Sequence, residues 1–147
     1  MTEIDISKMT LEDLNTISPV LQTDFDNFWN EQNLKSEIEN PNSHCFVAKM
    51  NNEIVGFASI LQILDQMHLN NIVVKKEFRN LGIGKKILEH LISICENIDE
   101  ITSFTLEVNE RNIIARKLYL DYGFKELGVR KNYYGLNQNA IIMTKYI

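Results

Sequence analysis

The segment from Val73 to Lys86 constrains the fold of this chain more than any other. An apolar run ends at Val74, a turn carries glycines at positions 82 and 84, and an amphipathic pattern follows at once. From 82 to 98 the apolar side chains recur with a helical period, which predicts a long helix. The first turn of a helix has unpaired N–H groups that suit an anion. The sequence therefore predicts a strand, a glycine turn and a helix that together form an anion site.

The charges of this segment support a phosphate ligand. Five of the fifteen basic residues of the chain lie between positions 75 and 86, although the net charge is −5. Lysines in the first turn of a helix oppose its dipole, and a bound phosphate reverses that effect. A P-loop requires Gly where Arg79 stands and Ser or Thr where Lys86 stands. A dinucleotide fingerprint requires Gly where Ile87 stands, so both of these phosphate motifs are excluded.

The rest of the chain predicts alternating strands and helices. Thr10 and Asn112 are suited to begin helices, Gly123 is suited to end one, and Asn51-Asn52 is suited to the turn of a hairpin. The predicted order is strand 4–6, a helix after 10, a looser helical stretch 24–40, strands 44–50, 53–64 and 67–75, helix 82–98, strand 103–108, helix 112–122, and strands 124–134 and 140–146. This order predicts an α+β fold with a mixed sheet and helices on its faces, in one domain of residues 1–147.

Composition limits the cellular compartment and the partners expected of this domain. Its length of 147 residues and its 44% hydrophobic content fit one globular domain. The longest apolar run is broken by polar residues, and the N-terminus lacks the features of a signal peptide. Cys45 and Cys95 lie far apart without metal-like spacing, which favours reduced thiols in the cytoplasm. The negative charge argues against nucleic-acid binding. We therefore expect a cytoplasmic domain that binds no metal, membrane or nucleic acid.

Several motifs together resemble a known family. Arg79-x-x-Gly82-x-Gly84, after a strand that ends at Val74, resembles the acetyl-CoA pyrophosphate motif of the GNAT N-acetyltransferase superfamily. The matching motifs that follow in order are Leu106-Glu107-Val108, Asn112, Leu118-Tyr119 and Tyr122-Gly123-Phe124. Residues 130–134 and 139–143 are similar to the ribosomal-protein-alanine N-acetyltransferases, the RimI branch. The resemblance is dense from about Phe57 to the C-terminus.

This resemblance implies a fold, a reaction and a partner. The fold is a mixed, mostly antiparallel sheet of about seven strands with about four helices. Acetyl-CoA is the cosubstrate, no metal is needed, and the acceptor is the α-amine of a protein N-terminus, such as the N-terminal alanine of a small-subunit ribosomal protein. Two alternatives stay open: a GNAT enzyme that acetylates a small amine (a polyamine, amino acid or aminoglycoside), and a non-catalytic acyl-CoA-binding module.

The resemblance also implies roles for individual residues. Glu107 corresponds to the general base and Tyr119 to the general acid, while Trp29, Tyr133 and Tyr134 line the peptide groove. The residues implied to contact acetyl-CoA are Ile72, Val73, Val74, Arg79, Asn80, Leu81, Gly82, Ile83, Gly84, Lys85 and Asn112. The chemistry agrees, because a carboxylate can take the proton of the attacking amine and a phenol can donate to the leaving thiolate.

Some of these residues also have a simpler interpretation. Glu107 alternates with buried positions and is also compatible with the polar face of an ordinary strand. Tyr119 is compatible with a core aromatic residue, and Asn112 caps its helix in either case. His68 is a second candidate for the base or a strand-surface residue.

The acceptor loops depart from the pattern of the RimI branch. Phe28 and Gly135 stand where prolines are common, and Asn139 replaces an acidic residue. The segment 135–138 is also shorter than in that branch. These changes leave the use of acetyl-CoA intact and bear on the identity of the acceptor.

Overall fold

The computed structural model describes residues 3–25 and 29–147. Seven strands form one mixed sheet in the order β1-β2-β3-β4-β5-β7-β6. The strands are β1 (Asp5–Lys8), β2 (Ser43–Met50), β3 (Glu53–Ile63), β4 (Gln66–Val74), β5 (Ser103–Asn109), β6 (Lys125–Gly135) and β7 (Gln138–Tyr146). The α-helices of the described ranges are α1 (Leu11–Ile17), α2 (Glu31–Glu39), α3 (Ile83–Glu96) and α4 (Ile113–Asp121). The predicted fold class and the predicted order of elements are confirmed.

The described residues form two compact units. The first unit comprises the described residues up to Leu61 together with Asn70–Ser93, and the second comprises Gln62–Leu69 and Ile94–Ile147. β1 pairs antiparallel with β2, and β2 pairs antiparallel with β3. In the second unit, β4 and β5 pair in parallel, whereas β7 lies antiparallel to both β5 and β6.

The first unit has an apolar core built from its helices and strands. Phe25 and Phe57 lie at its centre with ring centroids 5.6 Å apart. Helix α1 begins at Thr10 in a capping box, because the Thr10 hydroxyl accepts from the N–H of Asp13 and the Asp13 carboxylate accepts from the N–H of Thr10. The core is closed by Met9, Leu14, Ile17, Leu21, Leu34, Cys45, Val47, Ile54 and Val73.

The helical stretch predicted over 24–40 is divided in the structure. A π-helical turn covers Leu21–Phe25, and α2 begins only after Asn30, whose side chain caps it by accepting from the N–H of Asn33. Residues 26–28, which include the predicted departure at Phe28, lie outside the described residues. The end of α2 before Asn40-Pro41 agrees with the prediction.

Strand β5 and helix α4 carry the predicted catalytic residues in the second unit. Phe104, Leu106 and Val108 are buried, and Thr105 and Glu107 alternate with them, as predicted. Helix α4 begins after Asn112, whose side chain accepts from the N–H of Ala115. It ends before Gly123, which has a φ of +92°.

The turn between β6 and β7 is tighter than predicted. A connection over residues 135–138 was expected, but β6 continues to Gly135 and β7 starts at Gln138. Asn137 takes the left-handed backbone conformation that this two-residue turn requires. The pairing shifts register between Arg130 and Gly135, so residues 131–134 leave the regular ladder.

Candidate active site

The predicted anion loop lies in the first unit, between β4 and α3. A 3₁₀ turn over Lys76–Phe78 follows β4, and Asn80 and Gly82 then have φ values of +66° and +82°. A Cβ atom added to Gly82 meets nothing within 4 Å, so the glycine faces open space. The carbonyl of Gly82 accepts the N–H of Lys86, which closes the first turn of α3. The preceding N–H groups have no partner within the helix and are available to a phosphate, so the loop fits the pyrophosphate of CoA.

Arg79 holds this loop in place. Its Nε donates to the carbonyl of Val74 at 3.0 Å, and its Nη2 donates to the carbonyl of Phe25 at 2.8 Å. The guanidinium therefore ties the start of the loop to the end of β4 and to the end of the π-helical turn. Sequence reasoning did not anticipate this contact, which spans 54 positions in the chain.

The basic residues around the loop differ in their ion pairs and in their exposure. Lys75 forms ion pairs with Glu53 at 3.0 Å and Glu77 at 3.2 Å. The hydrogen bonds that Lys75 donates to Glu53 and Glu77 raise the pKa of its ammonium, so its charge is engaged by the protein's own carboxylates. Lys76, Lys85 and Lys86 are exposed beside the loop.

Trp29 also lies in the first unit. It is partly buried and packs against the apolar core described above. It directly precedes Asn30, the cap of α2, so packing of the indole helps to fix where that helix begins. A contact with a peptide acceptor remains a prediction.

Glu107 lies at the centre of a polar cluster in the second unit. Its side chain is only 11% exposed. Oε2 lies 2.9 Å from Nε2 of His68, and Oε1 accepts from Nη1 of Arg130 at 3.3 Å. The parallel register places His68 opposite Thr105, so Glu107 lies two residues further along β5 on the same face. A largely buried carboxylate held by two basic side chains is not an ordinary strand-surface glutamate.

Two partly buried tyrosines lie in this second unit. Burial raises the pKa of Tyr119 to about 12, and its ring packs edge-on against Phe124 at 5.6 Å. Burial, with the charges of Tyr133, Glu107 and Tyr119 in addition, raises the pKa of Tyr134 to about 12. Both phenols therefore stay protonated at neutral pH, and each keeps an O–H group that can donate.

Arg130 extends this cluster to the aromatic pair predicted to line the peptide groove. Its guanidinium lies 4.9 Å from the ring centroid of Tyr133, in cation–π geometry. The rings of Tyr133 and Tyr134 meet edge-on at 4.9 Å. The sequence placed Arg130 only within a motif, and its contact with Glu107 was not predicted.

Asparagine side chains fix the segment that carries these tyrosines. The N–H of Asn132 donates to Oδ1 of Asn139 at 2.9 Å, and the N–H of Asn137 donates to Oδ1 of Asn132 at 2.8 Å. Nδ2 of Asn139 donates to Glu110 at 3.2 Å. Asn139, where the RimI pattern has an acidic residue, therefore accepts from β6 across the turn and donates to Glu110, which follows β5.

Over 3–25 and 29–147, no group of three or more His, Cys, Asp or Glu side chains is arranged to hold a metal ion. Within those ranges no helix is both long enough and apolar enough to cross a membrane. Cys45 and Cys95 are free, and burial raises the pKa of each thiol to about 12.

Comparisons with known proteins identify the family. The acetyltransferase (GNAT) domain matches residues 8–145. The ribosomal protein bS18-alanine N-acetyltransferase of Haemophilus ducreyi is 39% identical over 98 residues, which cover 64% of this chain and 67% of that protein. The enzyme of the same name from Escherichia coli strain K12 is 36% identical over 101 residues, which cover 67% of this chain and 68% of that protein.

A solved structure supports the same conclusion. The crystal structure of the ribosomal-protein-S18-alanine N-acetyltransferase from Escherichia coli superimposes with a TM-score of 0.87. It is 31% identical to this chain, and the match covers 99% of this chain and 94% of that one. The predicted resemblance to this branch, the enzyme class and the acetyl-CoA cosubstrate are thereby confirmed. The chain belongs to the GNAT acetyltransferase family.

Proposed function

We propose that this enzyme transfers the acetyl group of acetyl-CoA to the α-amine of a protein N-terminus, and that its acceptor is the N-terminal alanine of a small-subunit ribosomal protein. The cluster around Glu107 carries this proposal, because it combines a buried carboxylate, a protonated phenol and an aromatic wall. The acceptor class is supported by relatives named as ribosomal protein bS18-alanine N-acetyltransferases.

The donor is assigned to residues of β4 and the loop that follows. The N–H groups of residues 80–85 bind the pyrophosphate, with Lys76, Lys85 and Lys86 as exposed positive charges beside them. Ile72, Val73 and Val74 supply backbone groups of β4 for the pantetheine arm and the thioester oxygen. Asn112 contacts the same arm from the start of α4 while it caps that helix.

The proton transfers are assigned to Glu107 and Tyr119. A protein α-amine arrives protonated, and only its neutral form has the lone pair that attacks a carbonyl carbon. Glu107 draws the proton away, directly or through a neighbouring group, the new C–N bond forms, and the C–S bond breaks with its electron pair on sulfur. Tyr119 donates its hydroxyl hydrogen to that sulfur and recovers a hydrogen, directly or through water, from the second N–H bond that the nitrogen loses. Of the two protons that the ammonium group loses, one ends on sulfur and the other reaches solvent.

Tyr133, Tyr134 and Arg130 are assigned to the binding of the acceptor peptide. Tyr133 is 48% exposed, which leaves ring surface for a peptide backbone or an apolar side chain. Arg130 balances the charge of Glu107, so the cluster does not hold the ammonium form of the acceptor as tightly as an unpaired carboxylate would. We further propose one domain over residues 1–147 and a cytoplasmic site of action, which agree with the family match over 8–145 and with two free thiols.

Two substitutions test the roles of the catalytic residues. Glu107→Gln and Tyr119→Phe each keep the shape of the side chain and remove its proton chemistry, so we expect turnover to fall by about 10²-fold or more. Acetyl-CoA affinity, measured by calorimetry, stays close to that of the wild type.

Matched controls separate chemistry from general damage. Glu89→Gln changes an exposed residue of α3, and Tyr146→Phe changes an exposed tyrosine at the end of β7. Both controls keep wild-type turnover. Wild-type turnover in both Glu107→Gln and Tyr119→Phe would contradict the assignment.

A further inference from the structure

The contact between His68 and Glu107 is not required by the function proposed above. His68 lies on β4 and Glu107 on β5, and their side chains meet at 2.9 Å although 39 positions separate them in the chain. The side chain of His68 is 33% exposed, whereas that of Glu107 is 11% exposed. The pair therefore has a buried carboxylate end and an imidazole end that reaches solvent.

The carboxylate fixes which imidazole nitrogen carries the hydrogen. A carboxylate oxygen at 2.9 Å only accepts, so Nε2 of His68 must donate to it. In the neutral ring the lone pair then lies on Nδ1. In the described ranges no protein group is hydrogen-bonded to Nδ1 of His68. Nδ1 therefore remains available to a proton donor, on an imidazole whose side chain is 33% exposed.

Both oxygens of Glu107 already accept from basic side chains. Oε2 bonds to His68, and Oε1 bonds to Arg130 at 3.3 Å. Each oxygen of Glu107 therefore already faces a donor, whereas the imidazole of His68 is the more exposed member of the pair. A carboxylate that accepts from one nitrogen of an imidazole fixes the orientation of the ring and leaves the other nitrogen to take a proton.

We propose that His68 is the proton acceptor of this acetyl transfer, and that Glu107 acts through it as the positioning carboxylate. This inference rests on the proposed function and deepens it at the same site. The acceptor ammonium gives its proton to Nδ1 of His68, directly or through one water, and keeps the electron pair of that N–H bond. The lone pair on nitrogen then attacks the thioester carbon. His68 returns to its neutral form by releasing the proton to solvent through its exposed side.

Chemical rescue separates a proton acceptor from a merely structural residue. His68→Ala removes the base and leaves space for a small molecule, so we expect kcat/KM for an alanine-initiated peptide to fall by about 10²-fold or more. Imidazole added to the assay restores a measurable part of that loss. His68→Gln keeps an N–H donor for Glu107 but has no basic nitrogen and leaves no space, so it is as slow as His68→Ala and is not rescued.

A measurement without acetyl-CoA tests the geometry itself. In the free wild-type protein, ¹⁵N NMR of the histidine side chains shows neutral His68 with its hydrogen on Nε2. In Glu107→Gln, where the amide side chain can also donate, this preference is weakened. His90→Gln is the control in both experiments, because the His90 ring packs on Phe46 at 4.9 Å and has no contact with Glu107. That variant keeps wild-type kcat/KM and leaves the His68 resonances unchanged.

The outcomes distinguish this inference from the proposed function. If wild-type protein acetylates the peptide and His68→Gln is equally active, His68 is not the proton acceptor, while the proposed function stands. A wild-type hydrogen on Nδ1 overturns the inference as well. If wild-type protein does not acetylate the peptide at all, the proposed function fails, and the NMR result alone decides the geometry of the pair.

Discussion

Gly82 and Gly84 allow a quantitative test of the acetyl-CoA loop, because alanine at the two positions should have opposite effects. Gly82 has a φ of +82°, and its missing Cβ faces open space. Alanine at position 82 meets no steric clash, so the left-handed backbone alone destabilises the variant, by about 1–2 kcal/mol. Gly84 lies in the first turn of α3, and its added Cβ would meet only Val74 Cγ2 at 3.7 Å, an ordinary contact. Alanine at 84 should therefore stabilise the helix by about 0.5–1 kcal/mol.

These energies convert into measurable shifts. For a domain of this size each kcal/mol moves the melting temperature by about 2–4 °C. Gly82→Ala should therefore melt about 2–8 °C below the wild type, and Gly84→Ala about 1–4 °C above it. The loop of Gly82→Ala can instead leave the left-handed conformation when no acetyl-CoA is bound. The strain then returns when acetyl-CoA binds, and the Kd for acetyl-CoA rises by about 5–30-fold.

Thermal unfolding followed by circular dichroism measures the loss of stability, and titration with acetyl-CoA by calorimetry measures the loss of affinity. The losses in stability and in binding should together amount to at least about 1 kcal/mol for Gly82→Ala. If Gly82→Ala loses neither stability nor affinity, the loop does not depend on that backbone conformation. If Gly84→Ala loses as much as Gly82→Ala, backbone strain is not the cause.

Two further predictions concern side chains that have no part in the proposed reaction, the two cysteine thiols and the Asp13 carboxylate. Because burial raises the pKa of Cys45 and of Cys95 to about 12, a disulfide reagent at pH 8 should label neither thiol in the native protein and both in denaturant, and rapid native labelling would contradict this. Burial alone would raise the pKa of Asp13, but its bonds to Thr10 and Lys49 outweigh burial and lower it. Wild-type protein should therefore be more stable to urea than Asp13→Asn at pH 7, with the difference shrinking as the pH falls below the ordinary value of 3.8, and a constant difference would refute the assignment.

The local elements of the fold could be predicted because neighbouring residues determine them. The apolar period of α3, the alternation in β5 and the caps at Thr10 and Asn112 are all local patterns. The helical stretch before Asn40 was predicted less well. Its sequence has a weaker period, and the structure divides it into a π-helical turn and a separately capped helix.

The contacts that define the candidate site could not be read from local patterns. His68 meets Glu107 only because β4 and β5 pair in one particular parallel register. Arg79 reaches the carbonyl of Phe25 across 54 positions. Register and such long-range contacts depend on how the whole chain packs, and no period in the sequence records them. The family motif located Glu107 but did not indicate that its side chain contacts His68 and Arg130.

The most direct test of the proposed function is to locate the acetyl group on a defined acceptor. Purified protein and acetyl-CoA are incubated with a short peptide that begins with alanine and contains an internal lysine, with the same peptide blocked at its α-amine, and with a mixture of small amines. CoA release gives the rates, and fragment mass spectrometry gives the position. We expect acetylation of the free peptide on its α-amine and none of the blocked peptide. Acetylation of the lysine or of the small amines, with the α-amine untouched, would contradict the proposed function.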